Sequence, residues 1–141
     1  MHCISIDTMG PFPEDEDGNK YVINIIDCFT RFLEMYPAKD VSAKSAAKAL
    51  LQHFGRYGFA TDLLSDQGTQ FVNETISALT TLMGVKQILT APYSKQENAI
   101  VERANREVLR HLRAILYDRR IQSDWSAVLP MVQRIMNSEV H

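Results

Sequence analysis

Three strand-like runs crowd into the first 37 residues, with no helix-length pattern between them. Residues 2–7 (HCISID) alternate, with Ile4 and Ile6 on one face and Cys3, Ser5 and Asp7 on the other. Residues 21–28 (YVINIIDC) are rich in β-branched side chains, and residues 32–37 (FLEMYP) form a third run that Pro37 is expected to end. The first link, GPFPEDEDGNK over 10–20, is a turn rich in Gly, Pro and acid. Short links of this kind favour antiparallel neighbours, so a meander is expected.

From residue 42 the period changes. Ser42 is placed to cap a helix on which Ala43, Ala46, Ala47, Leu50, Leu51 and Phe54 follow helical spacing, with Gly55 or Gly58 as the stop. A short buried strand over 62–65 (DLLS) leads into Asp66-Gln67-Gly68. Asn73 caps a second helix with Ile76, Leu79, Leu82 and Met83 inward and Gly84 at its end, and residues 85–90 make a fifth strand. Ser94-Lys95-Gln96-Glu97 is a capping box for a long helix with Val101, Ala104, Val108, Leu112 and Ile115 as its stripe. A last helix starts near Ser123 with Trp125, Val128, Leu129, Val132 and Ile135 inward. Pro130 imposes a kink or a restart there, since an interior proline costs about 3 kcal/mol. Met83, Met131 and Met136 read as core filler. The order β-β-β-α-β-α-β-α-α gives an α/β fold, a mixed five-stranded sheet flanked by helices.

At 141 residues the chain is one domain with room for a core. No apolar run approaches the roughly 20 residues of a membrane span, and the N-terminus lacks the pattern of a signal peptide. Cys3 and Cys28 have neither CxxC nor Cys/His spacing, so no zinc site or disulfide framework is indicated. A reduced intracellular setting, nuclear or cytoplasmic, is expected. The net charge of −2 argues against a generic basic nucleic-acid binder, so any role on DNA rests on local charge. The arginines at 103, 106, 110, 113, 119 and 120 cluster late, whereas Glu14, Asp15, Glu16 and Asp17 cluster early.

Two acids, Asp7 and Asp66, end apolar strand-like runs, and a third, Glu102, lies in the first turns of the long helix. Three carboxylates brought together would repel unless a cation joined them, and an oxygen-only set suits Mg²⁺ or Mn²⁺. Taken singly, each acid is more commonly a turn, cap or surface residue, and spacing alone does not overturn that reading. Asp27 is read as structural.

The segments SIDTMGPFP, LLSDQGTQFVN and APYSKQENAIVERANREVLRHLR, in that order, resemble the catalytic core of retroviral and LTR-retrotransposon integrases, most like the gypsy type. The 35 residues between Asp66 and Glu102 match that family's D,D-35-E signature. The resemblance covers nearly the whole chain. It implies an RNase H-like fold and DNA 3′-end processing and strand transfer by Mg²⁺-assisted in-line attack. It makes Asp7, Asp66 and Glu102 the metal-binding triad. It further implies a DNA partner, a homodimer or higher multimer formed through residues 42–54 and 123–138, and a C-terminal end truncated relative to the family's core. The family's zinc-binding N-terminal and basic C-terminal domains lie outside residues 1–141.

In relatives the loop before the glutamate touches the DNA end. Here that loop offers Tyr93, Ser94, Lys95, Gln96 and Asn98: Lys95 for phosphate, Gln96 and Asn98 for base edges. The same residues also serve as caps and turns. Arg106 and Arg113 fall within roughly 40° of Glu102 on a helical wheel, where they either neutralise phosphate or form a solvated face paired as Glu102–Arg106. Two departures from the family pattern are Asn98-Ala99 in place of Asn-Gly, and Leu109 where some relatives are basic. A catalytically silent remnant that binds DNA or protein is therefore the alternative expectation, and an RNase H-type nuclease a third.

Overall fold

The computed structural model describes residues 2–90, residues 103, 106, 107, 110, 111, 113 and 114, and residues 122–138. Five strands form one sheet: β1 (Cys3–Met9), β2 (Tyr21–Asp27), β3 (Leu33–Ala38), β4 (Asp62–Ser65) and β5 (Lys86–Leu89). Their order is β3-β2-β1-β4-β5. The meander β1-β2-β3 is antiparallel, as its short links require, while β4 and β5 are parallel to β1. Each parallel return is made through a helix, α1 (Ala43–Tyr57) and then α2 (Glu74–Leu82). Among the described residues no helix is long and apolar enough to cross a membrane.

The caps follow the local sequence. Ser42 accepts from the Ser45 N–H, and Gly58 (φ 85°) ends α1 by donating its N–H to the Phe54 carbonyl. Asn73 accepts from the Ile76 N–H at the start of α2. Pro37 does not end β3 but sits inside it, opposite Val22. The strand is at the sheet edge, and the N–H groups of Leu33 and Met35 point outward to Asn137 Oδ1 and Gln133 Oε1 of the last helix. Pro37 occupies the next outward position, where the N–H it lacks would have no strand partner. The side chains of Gln133 and Asn137 thereby cover the edge strand.

The restart at Pro130 is observed. A 3₁₀ stretch over Gln122–Val128 gives way to α3 (Leu129–Ser138), so Pro130 falls in the first helical turn, where no intrahelical N–H bond is required.

Apolar side chains pack on both faces of the sheet. Ile4, Ile6, Ile23 and Ile25 meet Leu50 and Phe54 of α1, Ile76 of α2, and Phe71 on one face. Met9, Val22, Ile26, Leu33 and Met35 meet Trp125, Leu129, Val132 and Met136 on the other. Trp125 is fully buried and donates from Nε1 to the Pro13 carbonyl at 2.6 Å. Four apolar residues expected inside lie outside: Leu51, Leu82, Met131 and Ile135 are all exposed. The reason is stripe width. On α3 the buried positions are Leu129, Val132 and Met136, so Met131 and Ile135 turn away; on α2 Ile76 and Thr80 fix the inward face and leave Leu82 84% exposed.

The acidic turn is also more than a solvated charge run. Asp15 is buried and accepts from the N–H groups of Asp17 and Asn19, from the Asn19 amide and from the Ser126 hydroxyl. Burial pushes its carboxyl upward, but the hydrogen bonds from Ser126, Asn19 and Asp17 outweigh this and hold it below its ordinary value. The turn is thus tied to the segment that leads into α3.

Candidate active site

Asp7 and Asp66 come from adjacent parallel strands. In the β1–β4 register Ile4 pairs with Leu63 and Ser5 with Leu64. Ile4 and Leu63 both enter the core under α1 and α2, so Ser5 and Leu64 turn to the opposite face. Asp7 lies two residues beyond Ser5 in β1, and Asp66 is the first residue after the end of β4.

Local bonds orient both acids. Asp7 Oδ1 accepts the Thr8 N–H at 2.9 Å, and Asp66 Oδ1 accepts the Gly68 N–H at 2.7 Å. The residue before Asp66 is held from the β5 side: the Ser65 carbonyl accepts the Thr90 N–H at 2.8 Å, and Gln87 donates to the Ser65 hydroxyl at 3.3 Å. Asp7 is half-buried and Asp66 exposed.

Gly68 borders the Asp66 carboxylate, a closeness that sequence reasoning passed over. A Cβ at this position would lie 2.6 Å from Gln70 Oε1 and 2.9 Å from Asp66 Oδ1. Glycine therefore keeps open the space in which the Asp66 carboxylate sits. Its one sequence signal was its place two residues after the acid.

Glu102 and the loop residues Tyr93, Ser94, Lys95, Gln96 and Asn98 lie outside the described residues. Arg106 is helical and exposed, as are Arg103, Arg110 and Arg113. Arg110 pairs with Glu107 at 2.6 Å, an i,i+3 contact on a solvated face worth a few tenths of a kcal/mol. Among the described residues no three His, Cys, Asp or Glu side chains form a group able to hold a metal ion. Asp7 and Asp66 carry hard carboxylate oxygens, the donor type that suits a divalent cation of the Mg²⁺ or Mn²⁺ kind.

A mixed sheet in the order β3-β2-β1-β4-β5, with an acid in its central strand and another just past the adjacent strand, defines the RNase H-like class of α/β domain. The family model described as the integrase core domain matches residues 1–95, and the chain belongs to that family. Relatives include the retrovirus-related Pol polyprotein from transposon 412 of Drosophila melanogaster, 32% identical over 89% of this chain, and the Gag-Pol polyprotein of feline leukemia virus, 37% identical over 86%. The chain spans only 10% and 7% of those polyproteins. The human gypsy retrotransposon integrase-like protein 1 is 33% identical over 67% of this chain and 18% of its own length. Among solved structures, the catalytic core domain of BIV integrase superposes with a TM-score of 0.79 at 23% identity, covering 99% of this chain and 86% of that one; at this identity the likeness is one of fold.

Proposed function

We propose that this domain is the catalytic core of an element-encoded DNA integrase that performs 3′-end processing and strand transfer, with Asp7, Asp66 and Glu102 holding Mg²⁺ or Mn²⁺. The observation that supports the reading is that β1, which carries Asp7, and β4, which Asp66 directly follows, are adjacent parallel strands. A cation bound there would activate the attacking hydroxyl and stabilise the leaving oxygen of an in-line displacement at phosphorus. The chain's own part is positional. The sheet fixes Asp7, the Ser65–Thr90 bond fixes the turn that carries Asp66, and Gly68 leaves its carboxylate room. Tyr93, Ser94, Lys95, Gln96 and Asn98 are proposed to touch the DNA end, and Arg106, exposed on its helix, to neutralise phosphate. Such work on DNA belongs inside the cell, in nucleus or cytoplasm.

The test is reversal of strand transfer on a branched DNA substrate under Mn²⁺, which needs only the cations and a positioned 3′-hydroxyl. Asp7→Asn, Asp66→Asn and Glu102→Gln should each abolish it while leaving the fold intact. Arg106→Ala should weaken DNA binding and flatten its salt dependence. An intact, metal-binding wild-type fold inert on branched DNA would instead support the silent remnant, with Ala99 and Leu109 the first positions to revert.

Leu51 on α1 and Met131 and Ile135 on α3 are exposed apolar residues within the two segments expected to pair. We propose that they form a homodimer surface. Sedimentation showing only monomer at high micromolar concentration would overturn this.

A further inference from the structure

Cys3 and Cys28 are the chain's only two cysteines, far apart in sequence and without any spacing motif. The fold sets them opposite each other. The β1–β2 register pairs Ile4 with Asp27, and its next step pairs Cys3 with Cys28. The Cys28 N–H donates to the Cys3 carbonyl at 3.1 Å, so the two face each other at the end of the antiparallel ladder. Residues facing each other in this way have their Cα atoms no more than about 5.5 Å apart, inside the 4.4–6.8 Å range that disulfides span. The sulfurs are already in contact, with Sγ to Sγ 3.4 Å. Both residues are half-buried, so a small oxidant can reach them. β1 is anchored here on its other side as well, since the Thr61 and Asp62 N–H groups both donate to the His2 carbonyl at 2.9 Å. The two thiols are therefore held by the ladder and do not meet by chance encounter of loose ends.

The geometry points to a redox modification site: Cys3 and Cys28 form an intramolecular disulfide when the protein meets a peroxide. One thiolate attacks a peroxide oxygen; the S–O bond forms, the O–O bond breaks and hydroxide leaves, giving a sulfenic acid. The second thiolate attacks that sulfur; the S–S bond forms and hydroxide leaves again. With the two thiol protons counted, two thiols and one hydrogen peroxide give one disulfide and two waters. Closing the sulfurs from 3.4 Å to bonding distance takes a movement of about 1.4 Å, within reach of side-chain rotation alone. The product staples β1 to β2 on the strand that carries Asp7, and it constrains the unfolded chain across the whole acidic turn between them.

The experiment treats the full chain with hydrogen peroxide, blocks remaining thiols and digests with trypsin without reductant. Cleavage after Lys20 and Arg31 separates the two cysteines onto different peptides, so a disulfide joins Met1–Lys20 to Tyr21–Arg31. The joined pair should appear at the summed mass less about 2 Da, and it should be lost on adding dithiothreitol. The oxidised protein should melt roughly 5–10 °C higher than the reduced one. Cys3→Ser and Cys28→Ser should each remove both the joined peptide and the rise in Tm. Recovery of both peptides as separately blocked thiols, as singly oxidised acids, or joined only between two chains would overturn the proposal.

Discussion

Acid should loosen the seam between α1 and the edge strand through one buried imidazole. His53 has no exposed surface, and its Nδ1 shares a 3.0 Å hydrogen bond with the Tyr36 hydroxyl. Its ring packs 4.8 Å from that of Tyr57, and Nε2 has no hydrogen-bond partner among the described residues. Burial, and then the Arg56 guanidinium, depress its pKa from 6.5 to about 4; Asp27 opposes them weakly. The unfolded chain therefore takes up a proton near pH 6.5 that the folded chain refuses until about pH 4. Stability from this group is complete above pH 6.5 and falls as pH drops to about 4, below which it changes no further. At 1.36 kcal/mol per pH unit, the gap between 6.5 and about 4 is worth about 3 kcal/mol, or roughly 10 °C in Tm for a domain of this size. Urea unfolding of the wild type and of His53→Gln, measured every half unit from pH 7 to pH 4, isolates the contribution, because the carboxylates titrate in both. The wild type should lose about 3 kcal/mol more than the variant across that window. Parallel curves would refute the reasoning and show that the folded imidazole protonates as easily as a solvated one.

Gly68→Ala should shrink the Mn²⁺-induced rise in Tm, because its Cβ would press on Asp66 Oδ1, while the metal-free protein changes by less than about 1 kcal/mol, since the atoms it meets are side-chain ends that can move. An unchanged metal response would remove Gly68 from the site. Ser126→Ala should cost about 1–2 kcal/mol at neutral pH, as it removes a hydroxyl donor from the buried Asp15 carboxylate. Because Asp15 titrates below 3.8 in the folded protein, that difference should be present above pH 3.8 and fade as pH falls below it, which parallel melting curves would check.

The local signals that span only a few residues were legible directly. Ser42 and Asn73 cap the helices expected of them, and Pro130 forces the restart that became α3, because a cap or a missing N–H acts within one turn of chain. The antiparallel meander followed from short links, and Asp66 directly follows its strand as expected, whereas Asp7 does not end β1, which continues to Met9 because Thr8 and Met9 still pair with Ile23 and Val22. Alternation even placed Asp7 on the face away from Ile4 and Ile6. What the sequence by itself could not decide was which of several adequate neighbours each residue would meet. Leu51, Leu82, Met131 and Ile135 carry helical spacing but lie outside, because the buried width of a helix is set by the sheet it lands on. Pro37 could remain in β3 only because that strand became an edge. Cys3 and Cys28 lacked any spacing motif, yet strand register brought their sulfurs into contact. Asp15, one of four acids in a solvated-looking run, was buried by a serine 111 positions away. Each of these depends on contacts between distant segments, and such contacts exist only once the sheet has fixed its order and register.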